Sequence, residues 1–551
     1  MKNYSKICRD GIGTLSVLFL LTPPLSEAAK LDLFEPQSIP YVEMHSNFPM
    51  FSQQNQLSSN TDIINLLKEK KLSQARGAIE QRIKNEPESA ILYSLRGMMN
   101  TIDGELSHAE QDYQHAIALD SSNLEGYLGI AEIYLQQKKL KLAEIYFQKA
   151  LAVNANAIGA YIGLASIAST LNDNDRVEKN LQLAHQKTVK NIDAKVMTMQ
   201  LLSQWYKAQQ QFKPYLTLAQ EFRVDFPNED KSFNYLLDAL FLNGKAKNVE
   251  QELNAYLAKH SQDTKYRYKL IDLLVHLDSP YQSIDKVLQE LEKITPNSSR
   301  PLSVKAQYFL AKQDYEKVLE IAGQAKSRFP QSILSEKLKG EAYQGLKELA
   351  KAQNAYEIVY RKQPKEVFLL ALVDILEQQK KHTQATILLQ TALKKTPDSF
   401  QLQLRLGQHY ILVAQYPSAI KEYEKLLIVQ PNSIVILNDL AWLYMQVNDK
   451  RALSLAEKAY KLAPKSFIIL DTYGSILIKQ GAATEAIEIL SQAITLNNEV
   501  LVIQFHLAQA YVANGQQQAA IELLNGIVSK SWGLDGERNE ARALLAQLKK
   551  N

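Results

Sequence analysis

A single cysteine, Cys8, occurs in 551 residues, so neither a disulfide framework nor a cysteine-based metal site can organise this chain. Glycine and proline number only 20 and 17, too few for a β-sandwich or barrel, whose many short strands demand frequent turns. No stretch of 18 uninterrupted apolar residues is present, so no transmembrane segment is expected in the mature chain. The 63 basic and 59 acidic residues leave a net charge of +4. That near-neutrality argues against a nucleic-acid partner, which needs basic residues gathered on one face. Phosphate loops, Gly-x-Ser-x-Gly elbows and Cys/His clusters at metal spacing are all missing. The nine histidines are scattered; His108 and His115 share a helix face but read as two surface side chains. These absences predict a non-enzyme with no cofactor and no metal.

What the chain has is a period. Pro296, Pro330, Pro364, Pro397, Pro431 and Pro464 stand 34, 34, 33, 34 and 33 residues apart, and Pro87 and Pro227 fall close to the same grid. A helix-stopping residue repeated in the mid-thirties marks a stack of helical hairpins. Within each period the residues recur at helical spacing. One unit reads Leu406-Gly407, Tyr410, Ala419, Tyr423, Leu426; another reads Gly340, Tyr343, Ala352, Tyr356, Val359. Two units without the proline keep the skeleton: Tyr93, Gly97, Ala109, Tyr113, Ala116, then Tyr127, Ala131, Tyr134, Ala143, Phe147, Ala150. The small residue lets the second helix of the hairpin approach, and the large one fills the groove between hairpins.

This pattern resembles the tetratricopeptide repeat over about residues 56 to 532. The resemblance implies an all-α fold, a right-handed superhelical solenoid of about 14 hairpins. The units start near 56, 90, 124, 158, 196, 230, 265, 299, 333, 366, 400, 434, 467 and 501. An amphipathic stretch at 534–549 is expected to cap the last hairpin, whose apolar face would otherwise lie open. Irregular turns at Gln209–Lys213, Asp278-Ser279-Pro280 and Asn448–Arg451 suggest joints or tolerated loop variation. The organisation read from the sequence is a signal peptide at 1–28, a flexible Pro/Gln/Ser-rich linker at 29–55, repeat sub-arrays at 56–195 and 196–532, and a capping helix at 533–551.

The N-terminus predicts export. Lys2, Lys6 and Arg9 precede an apolar run from Leu15 to Leu21, ended by Pro23 and Pro24 and followed by Ser26, Ala28 and Ala29. This order is that of a secretory signal peptide, with cleavage after Ala28. Cys8 precedes the apolar run and so is not placed as a lipidated cysteine. The expected location is the periplasm or outer-membrane periphery of a Gram-negative bacterium. In the linker, Phe34, Tyr41, Phe48 and Phe51 stand among prolines, a composition that tethers or docks.

In tetratricopeptide arrays the concave face is lined by first-helix residues not used in packing. In this register the last three repeats place Asn438, Trp442, Asp471, Ser475, Phe505 and Gln509 there. They form a candidate partner-binding groove with two aromatics for area and four polar groups for direction. Upstream, the same face offers Gln200, Gln204, Lys207, Asn234, Asp238, Lys337 and Glu341. The lysine–asparagine clamp by which some co-chaperones of the family hold a terminal carboxylate is missing: Leu273 follows Lys269, and Glu341 follows Lys337. Residues 437–474 look like the C-terminal repeats of exported bacterial repeat proteins, among them the repeat lipoprotein of exosortase-linked exopolysaccharide systems. Those relatives are longer and lipidated. The expected function is an exported, non-catalytic scaffold of an envelope assembly serving polysaccharide or protein secretion. The alternatives are a stand-alone periplasmic peptide- or carbohydrate-binding receptor and, third, a cytoplasmic adaptor. A protein or peptide partner is expected in the groove, with polysaccharide as the other candidate ligand.

Overall fold

The computed structural model describes residues 60–188, 192–530 and 535–550. The signal-peptide and linker expectations, and Trp532, lie outside the described residues. Among these residues the secondary structure is helical throughout: 29 helices and no strand. They pair as 14 hairpins followed by one more helix, Asp535–Leu548. First helices begin at Thr61, Ala90, Leu124, Ile158, Ile192, Asp230, Thr264, Arg300, Leu334, Glu366, Phe400, Ile434, Phe467 and Leu501. Each start falls within five residues of the proline-and-aromatic register, the widest gap being 56 against Thr61. The described helices form two compact units, one ending at Val287 and one beginning at Leu288, and the divide falls inside Tyr281–Ile294, just after the irregular Asp278-Ser279-Pro280 turn.

A second period, invisible in the residue types, runs through the hairpin turns. Every described hairpin turns on one residue with positive φ, from Lys70 and Gly104 through Ala414 and Asn448 to Gly481 and Gly515. The following N–H reaches back five residues, as from Lys139 to the Tyr134 carbonyl at 2.8 Å and from Gln415 to Tyr410 at 2.8 Å. This bond satisfies a carbonyl left open at the helix end. Glycine occupies that left-handed position only four times, at 104, 244, 481 and 515. The other turns hold a side chain where glycine would be unstrained. The chain's scarcity of glycine therefore carries a conformational cost at ten turns.

Hairpins stack through close approaches. In the unit ending at Val287, an added Cβ on Gly129 would meet the Tyr113 ring at 2.3 Å, and one on Gly163 the Phe147 ring at 2.1 Å. Each glycine sits on a first helix and each aromatic on the second helix of the preceding hairpin. In the unit beginning at Leu288, one apolar core runs from Ala352 and Tyr356 through Tyr423, Ala441 and Tyr473 to Leu507 and Ala510. The helix Gln517–Ile527 and the terminal helix Asp535–Leu548 close its end.

Candidate functional site

The first helices of the second unit are Arg300–Ala311, Leu334–Gly345, Glu366–Gln378 (α1), Phe400–Leu412 (α2), Ile434–Gln446 (α3), Phe467–Lys479 (α4) and Leu501–Ala513 (α5), the labels marking the five used below. One position of these helices recurs as Glu341, Asp374, Gln408, Trp442, Ser475 and Gln509, spaced 33, 34, 34, 33 and 34 residues. Neighbouring first helices touch directly: Arg405 Nη2 on α2 donates to Asp374 Oδ1 on α1 at 2.7 Å, and His506 Nδ1 on α5 lies 2.7 Å from Asp471 Oδ1 on α4. The recurring position therefore forms a row across consecutive repeats.

The six sequence-predicted residues divide. Trp442, Ser475 and Gln509 are half-buried members of that row. Trp442 meets Tyr416 edge-on, with centroids 5.7 Å apart, and rests against the core. Asn438 and Asp471 are buried, at 2% and 7% exposure. Asn438 Nδ2 lies 3.5 Å from Asp439 Oδ1, and Asp471 is held by His506. Phe505 corrects the expectation of two exposed aromatics. It is 2% exposed and packs with Ala508, Leu524, Ala541 and Leu545, under the terminal helix. Its area is spent on closing the array, so Trp442 is the aromatic the row presents.

Upstream, Lys207 pairs with Asp238, which also accepts from Tyr215 Oη at 2.7 Å. Burial, and then the Asp238 charge, push that phenol upward. Lys337 Nζ stands 3.3 Å from Glu341 Oε1.

A polar network that residue patterns did not single out lies beneath the row. Arg405, 7% exposed, bridges Asp374 at 2.7 Å and Glu377 Oε2 at 2.6 Å. His409, fully buried, contacts Glu377 Oε1 at 2.6 Å and Thr386 Oγ1 at 2.9 Å. Burial alone would raise the Glu377 carboxyl, but hydrogen bonds from His409 and Arg405 and their charges outweigh it and hold it low. For Asp374 burial wins over Arg405, and its carboxyl is raised. Next along, Tyr423 Oη donates to Asp439 Oδ2 at 3.0 Å, both groups buried. The available signal was the spacing: Asp374 and Glu377 one turn apart on α1, Arg405 and His409 one turn apart on α2. Among the described residues no group of three or more His, Cys, Asp or Glu side chains is placed to hold a metal ion. Nor is any described helix long and apolar enough to cross a membrane.

Comparison with known proteins places repeats on three stretches. The tetratricopeptide repeat family is matched over residues 124–156, 338–400 and 477–548. No curated protein sequence matches the chain. Among solved structures it is similar to the Cut9–Hcn1 hetero-tetramer of the APC/C, at 13% identity over 90% of this chain and 97% of that one, TM-score 0.36. It is similar to yeast Tom70, at 14% identity over 84% and 96%, TM-score 0.33. It is also similar to a tetratricopeptide repeat protein of Parabacteroides merdae, at 19% identity over 40% and 88%, TM-score 0.36. The helical hairpins at 124–156, 338–400 and 477–548 are tetratricopeptide repeats.

Proposed function

We propose that this chain is an exported, non-catalytic scaffold that binds a protein partner along the first-helix row of its second unit, within a bacterial envelope assembly for polysaccharide or protein secretion. The observation that carries the binding part is the row itself. Six consecutive repeats hold a carboxylate, a second carboxylate, an amide, an indole, a hydroxyl and an amide at one position; Gln408 is buried there, the other five are half-buried, and Trp442 lies near the centre. Aromatic anchors set among polar neighbours are what energetically dominant contacts are made of. The Lys/Arg, apolar, small-residue order of residues 2–29 supports export, and the likeness of residues 437–474 to exported bacterial repeats supports the envelope setting.

Site-specific photo-crosslinking in intact cells tests this reading. A photoreactive residue at Gln509, in the row, should capture a discrete partner in the envelope fraction, and one at exposed Lys394 on the second helix His382–Lys395 should not. Equal capture at both positions, or a cytosolic adduct that retains Met1, refutes it.

A further inference from the structure

Away from the row, the second unit carries an edge where apolar and basic side chains lie open together. Nine large apolar side chains of this unit are exposed among the described residues, and seven of them lie where the second helix of one hairpin hands over to the first helix of the next. Four crowd a single turn. Ile428 and Val429 end the helix Tyr416–Val429 at 82% and 68% exposure, and Ile434 and Val435 open α3. Val367, Leu462 and Leu496 occupy equivalent turns on either side. In a stack of hairpins all these turns fall at the same end of the helices and form one line. Two bonds tie neighbours along it: Ser399 Oγ donates to Glu366 Oε2 at 2.9 Å, and Lys458 Nζ donates to the Pro431 carbonyl at 2.7 Å. Basic residues flank the apolar centre. Arg361, Lys362, Lys365, Lys394 and Lys395 precede it, and Lys461 and Lys465 follow; all seven are exposed and none forms an ion pair. The turns 361–367, 394–401, 428–435, 461–468 and 495–502 set these seven cations against three carboxylates, and Glu366 is already bonded to Ser399. The opposite ends of the same helices differ. Among the described residues Val447 is the one large apolar side chain exposed there, and cations such as Lys351 and Arg451 are paired with Glu348 and Asp449.

We infer that this edge lies on an anionic phospholipid bilayer: the flanking cations meet lipid phosphates, and Ile428, Val429, Ile434 and Val435 enter the boundary between headgroups and acyl chains. An exposed apolar patch rimmed by charge marks a docking surface, and the side chains on this one select the occupant. Protein interfaces are enriched in aromatic residues and methionine and depleted of lysine. Here six of the seven cations are lysines, and the exposed large apolar residues are all isoleucine, valine or leucine. Lysine keeps its ammonium among headgroups while its stem lies on apolar surface. Each cation near an anionic bilayer strengthens binding by about fivefold. Unpaired cations around open aliphatic side chains are the composition of a surface-bound element, held by charge and by shallow apolar insertion. The inference does not rest on the row binding a partner, since the two sets of residues are separate.

The test uses the full chain, whose one cysteine, Cys8, is removed by Cys8→Ser so that a single environment-sensitive fluorophore can be placed at Val429→Cys. A second protein carries the fluorophore at Ile387→Cys, exposed on the helix His382–Lys395 but away from the edge. Because the signal comes from the labelled position, it reports contact by this edge rather than attachment through another part of the chain. Vesicles of phosphatidylcholine with phosphatidylglycerol should raise and blue-shift the emission at 429 and leave that at 387 unchanged. Phosphatidylcholine alone should do neither, and added salt should weaken the response. Joint Lys394→Glu, Lys395→Glu and Lys461→Glu should weaken the vesicle response by about tenfold or more. The charge-matched set Lys347→Glu, Lys380→Glu and Lys450→Glu, at the opposite helix ends, should leave it unchanged. Far-UV circular dichroism checks folding, and should a charge variant unfold, the comparison of the two labels on the two vesicles still decides. No response at 429, an equal response at 387, or an equal response to phosphatidylcholine alone overturns the inference. So does a shift at 429 without vesicles that grows with protein concentration, which makes the edge a contact between copies, or the same shift on adding polyglutamate, which makes it a site for an acidic protein.

Discussion

Replacing Gly163 with alanine adds one methyl group, at the tightest crossing of the first unit. An added Cβ would lie 2.1, 2.4 and 2.5 Å from three atoms of the Phe147 ring, against an ordinary carbon–carbon contact of about 3.5–4.0 Å. The ring cannot retreat. Phe147 is 2% exposed and wedged in a core with Ala131, Ala143, Ala160 and Leu164. Overpacking of this kind costs about 1–3 kcal/mol, and the better helix propensity of alanine returns about 0.5–1. A net loss of about 1 kcal/mol is therefore expected. The matched control is Gly323→Ala in the helix Tyr315–Arg328, where an added Cβ meets nothing within 4 Å. There only the propensity term acts, and a gain of about 0.5–1 kcal/mol follows. Solenoids lose structure in pieces, so a single global midpoint would average the effect away. Hydrogen exchange read by mass spectrometry on peptides spanning 140–170 isolates it. Faster exchange there in Gly163→Ala, alongside slower exchange around residue 323 in the control, is the expected pair of results. A Gly163→Ala protein with unchanged or slower exchange at 140–170 would refute the packing argument.

Three further outcomes follow from the same geometry. Ala414→Gly, at a hairpin turn with φ of 56°, should stabilise its repeat by about 1 kcal/mol by removing left-handed strain, as local exchange around 400–430 would reveal. Arg405→Met should cost about 3 kcal/mol in urea unfolding of the second unit, because it leaves the buried Glu377 carboxylate and the half-buried Asp374 without their shared cation. Glu377 is held below its ordinary carboxyl value, so its contribution is present above about pH 4.3 and is lost as pH falls through its lower folded value. Glu377→Gln should accordingly lose stability at neutral pH and flatten the acid arm of a urea-midpoint titration.

The fold was legible because its punctuation is chemical. Prolines, a small residue and an aromatic one turn on, repeated every 33 or 34 residues, place the helix pairs within five residues of where they lie. The row Glu341 to Gln509 was legible in part for the same reason, since equivalent positions stay equivalent in a stack. What a period does not convey is which polar residues the neighbouring helices bury. Asn438 and Asp471 share a position with half-buried Leu370 and Leu404 of earlier repeats, yet both are buried, Asp471 against His506 of α5. Phe505 was misread because it belongs to the last repeat, where the terminal helix replaces the next hairpin and seals what a mid-array position would present. The Arg405 network escaped because its members lie 28 to 32 residues apart on separate helices, each an ordinary charge when taken alone. The left-handed turns escaped because lysine, asparagine, glutamine, aspartate and alanine stand where a sequence reader looks for glycine.

The central claim is that the first-helix row of the second unit is a binding surface anchored by Trp442. Its most direct test is the affinity of Trp442→Ala for the partner captured through Gln509, measured on purified full-length proteins by isothermal titration. The account predicts a loss of more than tenfold, about 1.4 kcal/mol or more, with helix content and exchange in residues 434–513 retained. Unchanged affinity in a folded variant, or collapse of protection across 434–513, would contradict it, the first by moving the ligand elsewhere and the second by making Trp442 a packing residue.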